Sequence, residues 1–197
     1  NSSMSRWRFN GGRMTREHMQ FLADSIRKYN LQHVHFTTGQ CLQMHGLDGD
    51  TILNLFKECH EHGIYNRGAG GDNPNVVASI LRGIDPRETL DITPYAAAIS
   101  EFLMEQMFYI KLPRKFKMAI DNGFDSTPHT TFKDLGFNLT KYNTFDVYAC
   151  GGLGPNPRMG IPVAHDVQPE DVLYYVKAML MVFANHGNFK KDRKSVV

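Results

Sequence analysis

Cysteine is scarce in this sequence, and its scarcity argues against several kinds of protein. The 197 residues contain three cysteines, Cys41, Cys59 and Cys150, which are widely separated and include no C-x-x-C pair. An odd number of scattered cysteines argues against a disulfide framework and favours a reducing cytoplasm. Three thiolates also fall short of the set that a cysteine-held metal centre needs, so this chain alone cannot complete one.

Long apolar runs and a large excess of one charge are missing as well. No apolar stretch approaches the roughly 20 residues that span a bilayer. The formal net charge is +2, from 22 basic and 20 acidic residues, far below that of a dedicated nucleic-acid binder. The first residues are polar, with no secretory signal. The sequence therefore predicts a cytoplasmic globular protein with neither a nucleic-acid nor a membrane partner.

Common catalytic and metal-binding patterns are also lacking. No serine lies in a G-x-S-x-G elbow. The tract "CHEH" (59–62) points its side chains in different directions on a helix, whereas helical metal pairs sit at i and i+4. His33 and His35 share one strand face, but no third ligand follows them at metal spacing. We predict no metal ligands in this chain.

The hydrophobic pattern predicts two α+β regions, 5–66 and 67–197, divided at the glycine-rich stretch 67–75. In the first region we expect a strand at 5–9, a helix from Thr15 to Tyr29, a strand at 33–38 that 41–45 extends, and a helix capped by Asp50 with Ile52, Leu53, Phe56 and Cys59 on its buried side. In the second we expect a helix near 94–107, strands at 116–120 and 145–152, and a helix at 169–186.

The stretch "KLPRKFKMAI" (111–120) places strong positive charge at the start of a buried strand. Lys115 and Lys117 are two residues apart, so in an extended segment they share a face, while Arg114 and Phe116 point to the other. Two ammonium groups aimed together could attract a small anion and donate protons to it. A solvated charged edge explains the same residues, and spacing alone leaves both interpretations open.

The loop "GGLGPNPRMG" (151–160) directly follows a predicted strand but lacks the lysine of a Walker loop. Its glycines indicate that the backbone comes close to something, either a ligand or a neighbouring strand.

Five stretches in order resemble motifs of the siroheme-dependent nitrite and sulfite reductases. They are "RFNGGRMT" (8–15), "VHFTTGQCLQMHGL" (34–47), "GGDNPNVVAS" (70–79), "LPRKFKMAI" (112–120), and "GGLGPNPRMG" (151–160) with the closing "VFANHGNFKKDRK" (182–194). The resemblance covers essentially the whole chain. It implies an α+β fold, with a ferredoxin-like half domain followed by an incomplete siroheme-binding domain.

The resemblance also implies a chemistry, the reduction of sulfite or nitrite at siroheme with electrons from a [4Fe-4S] cluster and a donor protein or domain. It implies that Lys115 and Lys117 bind the oxyanion and assist its protonation. The residues that it implies in cofactor binding are Arg114, Gln40, Gln43, Asn75, Gly151, Gly152 and Gly154.

Two departures from the family pattern complicate that expectation. Gly39 and Pro74 stand where the motifs "TTRQ" and "RNV" have arginines, and lysine does not replace a guanidinium one for one. The cluster signature of two cysteine pairs is also absent.

We therefore expect an N-terminal fragment of a longer reductase. On its own it is expected to be inactive, to hold no cluster and to retain siroheme poorly. Alternatives are a docking subunit that keeps the fold without catalysis, and a general anion-binding module.

Overall fold

The computed structural model describes residues 3–66, 75–112, 115–154 and 156–187. The chain divides into two compact units, Asn1–Gly70 and Gly71–Val197. The strands are β1 Ser3–Arg8, β2 Val34–Phe36, β3 Cys41–Leu47, β4 Asn75–Ala78, β5 Lys117–Asp121, β6 Leu135–Leu139, β7 Phe145–Ala149 and β8 Ile161–Val167. The α-helices are α1 Arg16–Lys28, α2 Gly49–Glu61, α3 Thr93–Gln106 and α4 Val172–His186, and short 3-10 turns occupy Asn10–Gly12, Thr130–Phe132 and Pro169–Asp171. No helix in these ranges is long and apolar enough to cross a membrane.

The first unit is a three-stranded antiparallel sheet in the order β1-β3-β2, with residues of α1 and α2 in its core. Trp7 of β1 is fully buried and stacks on Phe21 of α1, with ring centroids 5.2 Å apart. The prediction that 41–45 extends the strand at 33–38 is wrong. The Gln40 N–H donates to the Thr37 carbonyl (3.0 Å), which closes a turn, so that β3 runs back along β2 as a separate strand.

The two helices of this unit begin at polar caps. The Thr15 hydroxyl accepts the His18 N–H (3.2 Å), which confirms the predicted start of α1. For α2 the predicted cap Asp50 is wrong, because the Asp48 carboxylate accepts the Thr51 N–H at 2.7 Å. Leu55 and Cys59 are buried in the core.

Part of the predicted buried side of α2 is wrong as well. Leu53 and Phe56 are 56% and 40% exposed. The helix instead buries the side that carries Leu55. Leu55 follows Leu53 by two residues, which places it on nearly the opposite side of the helix.

The second unit is a five-stranded sheet in the order β4-β5-β6-β7-β8. The first three strands are parallel, and β7 and β8 run antiparallel to their neighbours. One face of the sheet packs against α3 and α4 in a single hydrophobic core. This topology places the amino ends of β4, β5 and β6 beside the carboxyl end of β7, so that these four strand ends lie on the same side of the sheet.

At the carboxyl ends of the parallel strands, buried polar side chains hold the neighbouring loop. Asp121 is 4% exposed. Its carboxylate accepts hydrogen bonds from the N–H groups of Gly123 (3.0 Å) and Leu139 (3.2 Å) and from the Thr130 hydroxyl (3.1 Å). The Asp125 carboxylate likewise accepts the Ile80 N–H (2.8 Å). These contacts anchor the loop that connects β5 to β6.

Candidate functional site

The amino ends of two parallel strands bring two predicted site residues together. Asn75 begins β4 and Lys117 begins β5, and their Cα atoms are partners in the sheet. The Asn75 N–H donates to the carbonyl of Phe116 at 3.2 Å. An amide side chain and the basic strand therefore lie next to each other, although they are more than forty positions apart in sequence.

The basic strand separates its charged and apolar side chains as its two-residue period predicts. Lys115 and Lys117 are exposed, whereas Phe116 between them is fully buried and contacts Phe183 of α4, with ring centroids 5.4 Å apart. The core therefore fixes the strand by Phe116 and leaves both ammonium groups outside. Arg114 lies outside the described residues.

Asp134, which was not predicted from the sequence, connects the basic strand β5 to the glycine loop (151–160) through hydrogen bonds. Its carboxylate accepts the Lys117 N–H (2.8 Å), and its own N–H donates to the Lys117 carbonyl (3.0 Å). Its carbonyl accepts the N–H of Cys150 at 2.9 Å. The only sequence signal for this role is an acidic residue directly before an apolar run, which is too common to single Asp134 out.

The glycine loop comes close to neighbouring backbone at Gly151 and faces open space at Gly152. A Cβ on Gly151 would lie 2.8 Å from the Lys133 carbonyl oxygen and 2.9 Å from the Phe132 carbonyl carbon, whereas nothing lies within 4 Å of one on Gly152. Gly152 pairs with Arg158 through two backbone hydrogen bonds of 2.9 and 3.0 Å. The close approach inferred for Gly151 is therefore to its own chain, and room for a ligand remains at Gly152. Gly154 is half-buried.

The two predicted glutamines lie in the first unit. Gln40 has a left-handed backbone (φ 53°), and its side chain fills the space above Gly12, where a Cβ would come within 2.5 Å of the Gln40 Cβ. Gln43 is half-buried in β3, and its Oε1 lies 3.3 Å from the His45 Nε2. The carbonyl of Gly39, where the resemblance implied an arginine, accepts a hydrogen bond from the Cys41 thiol (3.4 Å). Pro74 lies outside the described residues.

Two of the three thiols, those of Cys59 and Cys150, are poor candidates for reactive groups. Burial raises the pKa of Cys59 to about 12. Burial, together with the negative charge of Asp134, raises the pKa of Cys150. Within the described ranges no cluster of three or more His, Cys, Asp or Glu side chains is arranged to hold a metal ion. The chemistry that these residues support is anion binding by ammonium and amide groups.

Comparison with known proteins decides the family. A family model described as the nitrite and sulphite reductase 4Fe-4S domain matches residues 69–195. A second, the nitrite/sulfite reductase ferredoxin-like half domain, matches residues 1–62. The chain belongs to the nitrite and sulfite reductase family. The resemblance read from the five motifs is confirmed, and siroheme and iron–sulfur cofactors are implied for the family.

Curated relatives include both kinds of reductase. The chain is 29% identical to a chloroplastic ferredoxin–nitrite reductase of Spinacia oleracea, over 97% of this chain and 34% of the relative. It is 28% identical to a ferredoxin–nitrite reductase of Synechococcus elongatus (98% and 40%) and 25% identical to a sulfite reductase [ferredoxin] of Mycolicibacterium paratuberculosis (93% and 34%). The chain thus spans little more than a third of the length of these relatives.

Solved structures agree on the fold. The structure of the Mycobacterium tuberculosis NirA protein matches with a TM-score of 0.82 and 23% identity, covering 99% of this chain and 36% of that one. A dissimilatory sulfite reductase I matches with a TM-score of 0.56 and 13% identity, covering 70% of this chain and 32% of that one. The α+β fold with a ferredoxin-like half domain, predicted from the sequence, is confirmed.

Proposed function

We propose that this chain is the N-terminal part of a reductase that acts on sulfite or nitrite, with siroheme coupled to a [4Fe-4S] cluster in the intact protein. The observation that carries the proposal is the exposed pair Lys115 and Lys117 at a strand end, beside Asn75 and the open space at Gly152. Two ammonium groups offset the charge of a small oxyanion and supply protons as it is reduced. We propose the division into domains at 5–66 and 67–197 as part of the same interpretation.

Each unit contains side chains of the kind that bind the carboxylates of a macrocycle. Amide side chains at Asn75 and Gln43 and the guanidinium of Arg114 are the groups that bind carboxylates. Gly152 leaves space for a flat ring to approach the backbone. When bound, siroheme would supply the iron at which electrons reach the substrate, and the residues of this chain would orient the substrate and hold its protons.

The cluster does not fit this chain alone. A [4Fe-4S] cluster takes four thiolate ligands, and this chain has three cysteines. Cys59 is fully buried, and its raised pKa keeps its thiol protonated at neutral pH. We therefore propose that a further part of a longer polypeptide holds the cluster and that the isolated chain is inactive. The curated relatives above carry ferredoxin in their names, so we propose ferredoxin or a similar domain as the electron donor.

A second candidate is a non-catalytic docking subunit of the same fold. The observation that favours it is the loss of two family arginines at Gly39 and Pro74. A guanidinium makes paired hydrogen bonds to an anion that neither glycine nor proline can make.

The absorption spectrum of the full-length protein, prepared anaerobically with siroheme, separates the two candidates. Siroheme bands with oxidation of a reduced dye by sulfite or nitrite support the enzyme, whereas bands without turnover support the docking subunit. Absence of bands would contradict both.

The lysine pair is then tested by substitution. The double substitution Lys115→Ala/Lys117→Ala is expected to lower kcat/KM by at least about a hundredfold, because it removes charge stabilisation at the reacting oxyanion. Lys141→Ala is the matched control, because Lys141 lies in the turn that joins β6 to β7, at the other edge of the sheet. Equal losses in both variants would contradict the assignment of the pair.

A further inference from the structure

The helix α4 carries apolar side chains on its outer side as well as on its inner side. The residues that it buries in the core of the second unit are Val172, Val176, Leu180 and Phe183. On the outer side Tyr174, Met181 and Val182 are 74%, 49% and 41% exposed, and Ala178 between them is exposed as well. These four residues fall at i, i+4, i+7 and i+8, so they form one continuous strip along the helix. We call Tyr174, Ala178, Met181 and Val182 the outer face of α4.

The outer face lacks the charged residues that cover the exposed side of a solvated helix. The helix α1, which is of similar length, carries the charged residues Arg16, Glu17, Asp24, Arg27 and Lys28. In contrast, α4 contains one lysine and no carboxylate. That lysine, Lys177, is half-buried and donates a hydrogen bond to the side chain of Gln106 at the end of α3. Single exposed apolar residues are common on protein surfaces, but a continuous apolar strip marks a contact surface.

The order of large and small side chains makes the outer face complementary to itself. Ala178 lies midway between Tyr174 and Val182 in the sequence. A two-fold axis at Ala178 therefore places Tyr174 of one copy opposite Val182 of a second copy, with the two helices antiparallel. The small side chain of Ala178 allows the helix axes to approach closely where they cross. Two antiparallel α4 helices can thus cover each other's outer faces.

The charges at the two ends of α4 favour the same antiparallel pairing. Glu170 and Asp171 are exposed directly before the helix begins. The basic residues that follow the helix in the sequence lie outside the described residues and are Lys190, Lys191, Arg193 and Lys194. Antiparallel helices bring the acidic start of each α4 to the end of the other, from which the basic sequence continues, and they also align opposite ends of the helix dipoles. Parallel helices would place like charges together.

We propose that two copies of this chain associate through the outer faces of α4, as an antiparallel pair with a two-fold axis near Ala178. With 15 residues, α4 is about 22 Å long. A contact of this length and one helix in width is small beside the roughly 800 Å² that each partner buries in a standard interface. The dimer should therefore form at micromolar rather than nanomolar concentrations. Since the outer face includes neither the lysine pair nor the glycine loop, the dimer does not depend on the proposed function.

Sedimentation of the 197-residue chain tests the association itself. The mass of one chain is 22.4 kDa. Between about 1 and about 200 µM, the range in which a small interface saturates, we expect the mean mass to rise from that of one chain toward twice that value. A mass that stays at that of one chain at every concentration would overturn the proposal.

Substitutions on the helix locate the contact. Met181→Glu/Val182→Glu places two carboxylates in the outer face, and both positions are exposed, so the core is left intact. We expect the dissociation constant to rise at least about tenfold, because the pairing would bury charges without partners. The matched control Ile80→Glu/Ile84→Glu alters two exposed apolar residues outside α4 and should leave association unchanged. Association that is unchanged in the first variant, or weakened equally in the control, would contradict the proposal.

Cysteine crosslinking tests the antiparallel geometry. When copper catalyses oxidation by O₂, two thiols join as a disulfide only if their Cα atoms approach within about 7 Å. Ala178→Cys lies at the proposed axis and should therefore crosslink to its counterpart in a second copy. Tyr174→Cys should crosslink when it is mixed with Val182→Cys and not by itself. The unaltered chain, with its three cysteines, gives the background. Crosslinking of Tyr174→Cys to itself would indicate parallel helices and refute the antiparallel pair.

The longer polypeptide of the proposed function offers another occupant for the outer face, and the full-length protein distinguishes the two. A full-length dimer that Met181→Glu/Val182→Glu dissociates supports the proposal. If the 197-residue chain dimerises but the full-length protein does not, another part of the polypeptide covers the outer face. That result would overturn the dimer and leave the proposed function standing. Conversely, a full-length dimer without siroheme bands would remove the proposed function and keep the dimer.

Discussion

The backbone of Cys150 lies in the left-handed region, with φ of 63°, immediately after β7. A residue with a Cβ costs about 1 kcal/mol or more in this conformation, whereas glycine adopts it freely. The hydrogen bond from the Cys150 N–H to Asp134 holds the conformation in place. Strain is thus present at the junction between strand and glycine loop, beside the proposed site.

Cys150→Gly is therefore expected to raise the free energy of unfolding by about 1 kcal/mol. Thermal and urea unfolding measure the change. Cys41→Gly is the matched control, because Cys41 lies buried in the extended strand β3, where glycine should destabilise. A loss of stability in both variants would mean that the Cys150 thiol contributes more by packing than its backbone costs.

Two buried carboxyls of the second unit are expected to shift stability with pH in opposite directions. Burial raises the pKa of Asp121 and outweighs its hydrogen bonds from Gly123, Leu139 and Thr130. For Asp125, burial raises the pKa, but hydrogen bonds from Thr127 and Ile80 outweigh it, so that the pKa is lowered.

The raised pKa means that folded Asp121 binds its proton more tightly than the unfolded chain does. Its contribution to stability is therefore lost as pH rises from the ordinary value of 3.8 through the raised pKa. Asp125, with its lowered pKa, contributes stability that is lost as pH falls below 3.8. Relative to the unaltered chain, the free energy of unfolding of Asp121→Asn should therefore increase as pH rises, and that of Asp125→Asn should decrease. Urea unfolding between about pH 3 and 7 measures how the stability of each variant, relative to the unaltered chain, changes with pH. Changes of the same sign in both variants would contradict the opposite pKa shifts of the two carboxyls.

At the scale of elements, the glycine loop is expected to tolerate a methyl group at one glycine and not at the next. Gly151→Ala forces a Cβ within 3 Å of three backbone atoms of the segment Thr131–Lys133. We expect it to lower the free energy of unfolding by about 1 to 3 kcal/mol, as overpacking does. Gly152→Ala points into open space and should leave stability unchanged. Paired urea melts measure the difference, and an equal loss in both variants would show that the loop lies differently against its neighbours.

The elements that the sequence predicted well are those whose signals are local. The helix after Thr15 has both a cap and a regular apolar period, so its start and type follow from adjacent residues. Strand β4 has only four residues, and β6 alternates apolar residues with Gly136 and Asn138, two residue types that are depleted in strands. Both strands were missed, as was β8, and they form through neighbours that pair with them from far along the chain.

The same distinction applies to the candidate site. The common face of Lys115 and Lys117 follows from the two-residue period of a strand. The position of Asn75 beside Lys117 depends on a parallel pairing, and the role of Asp134 depends on the register of β6 against β5 and β7. Register between distant strands has no short-range signature, so these neighbours could not be read from the sequence.

At the scale of the whole molecule, each compact unit has a hydrophobic core of its own. The single tryptophan, Trp7, lies in the core of the first unit, so its fluorescence reports on that core. Circular dichroism of the backbone instead sums over the helices and strands of both units. The two signals therefore allow the stability of each core to be followed within one chain.

We expect a core substitution to affect the unfolding of its own unit more than that of the other. Leu42→Ala and Ile99→Ala each truncate a fully buried side chain, in the first and the second core respectively, and each should cost about 2 to 5 kcal/mol. Leu42→Ala should move the fluorescence transition in urea more than the dichroism transition, and Ile99→Ala should do the reverse. Coincident shifts by both probes in both variants would show that the two units unfold in a single cooperative transition. In that case, truncation of a side chain in either core would destabilise the segment that carries Lys115 and Lys117 to the same extent.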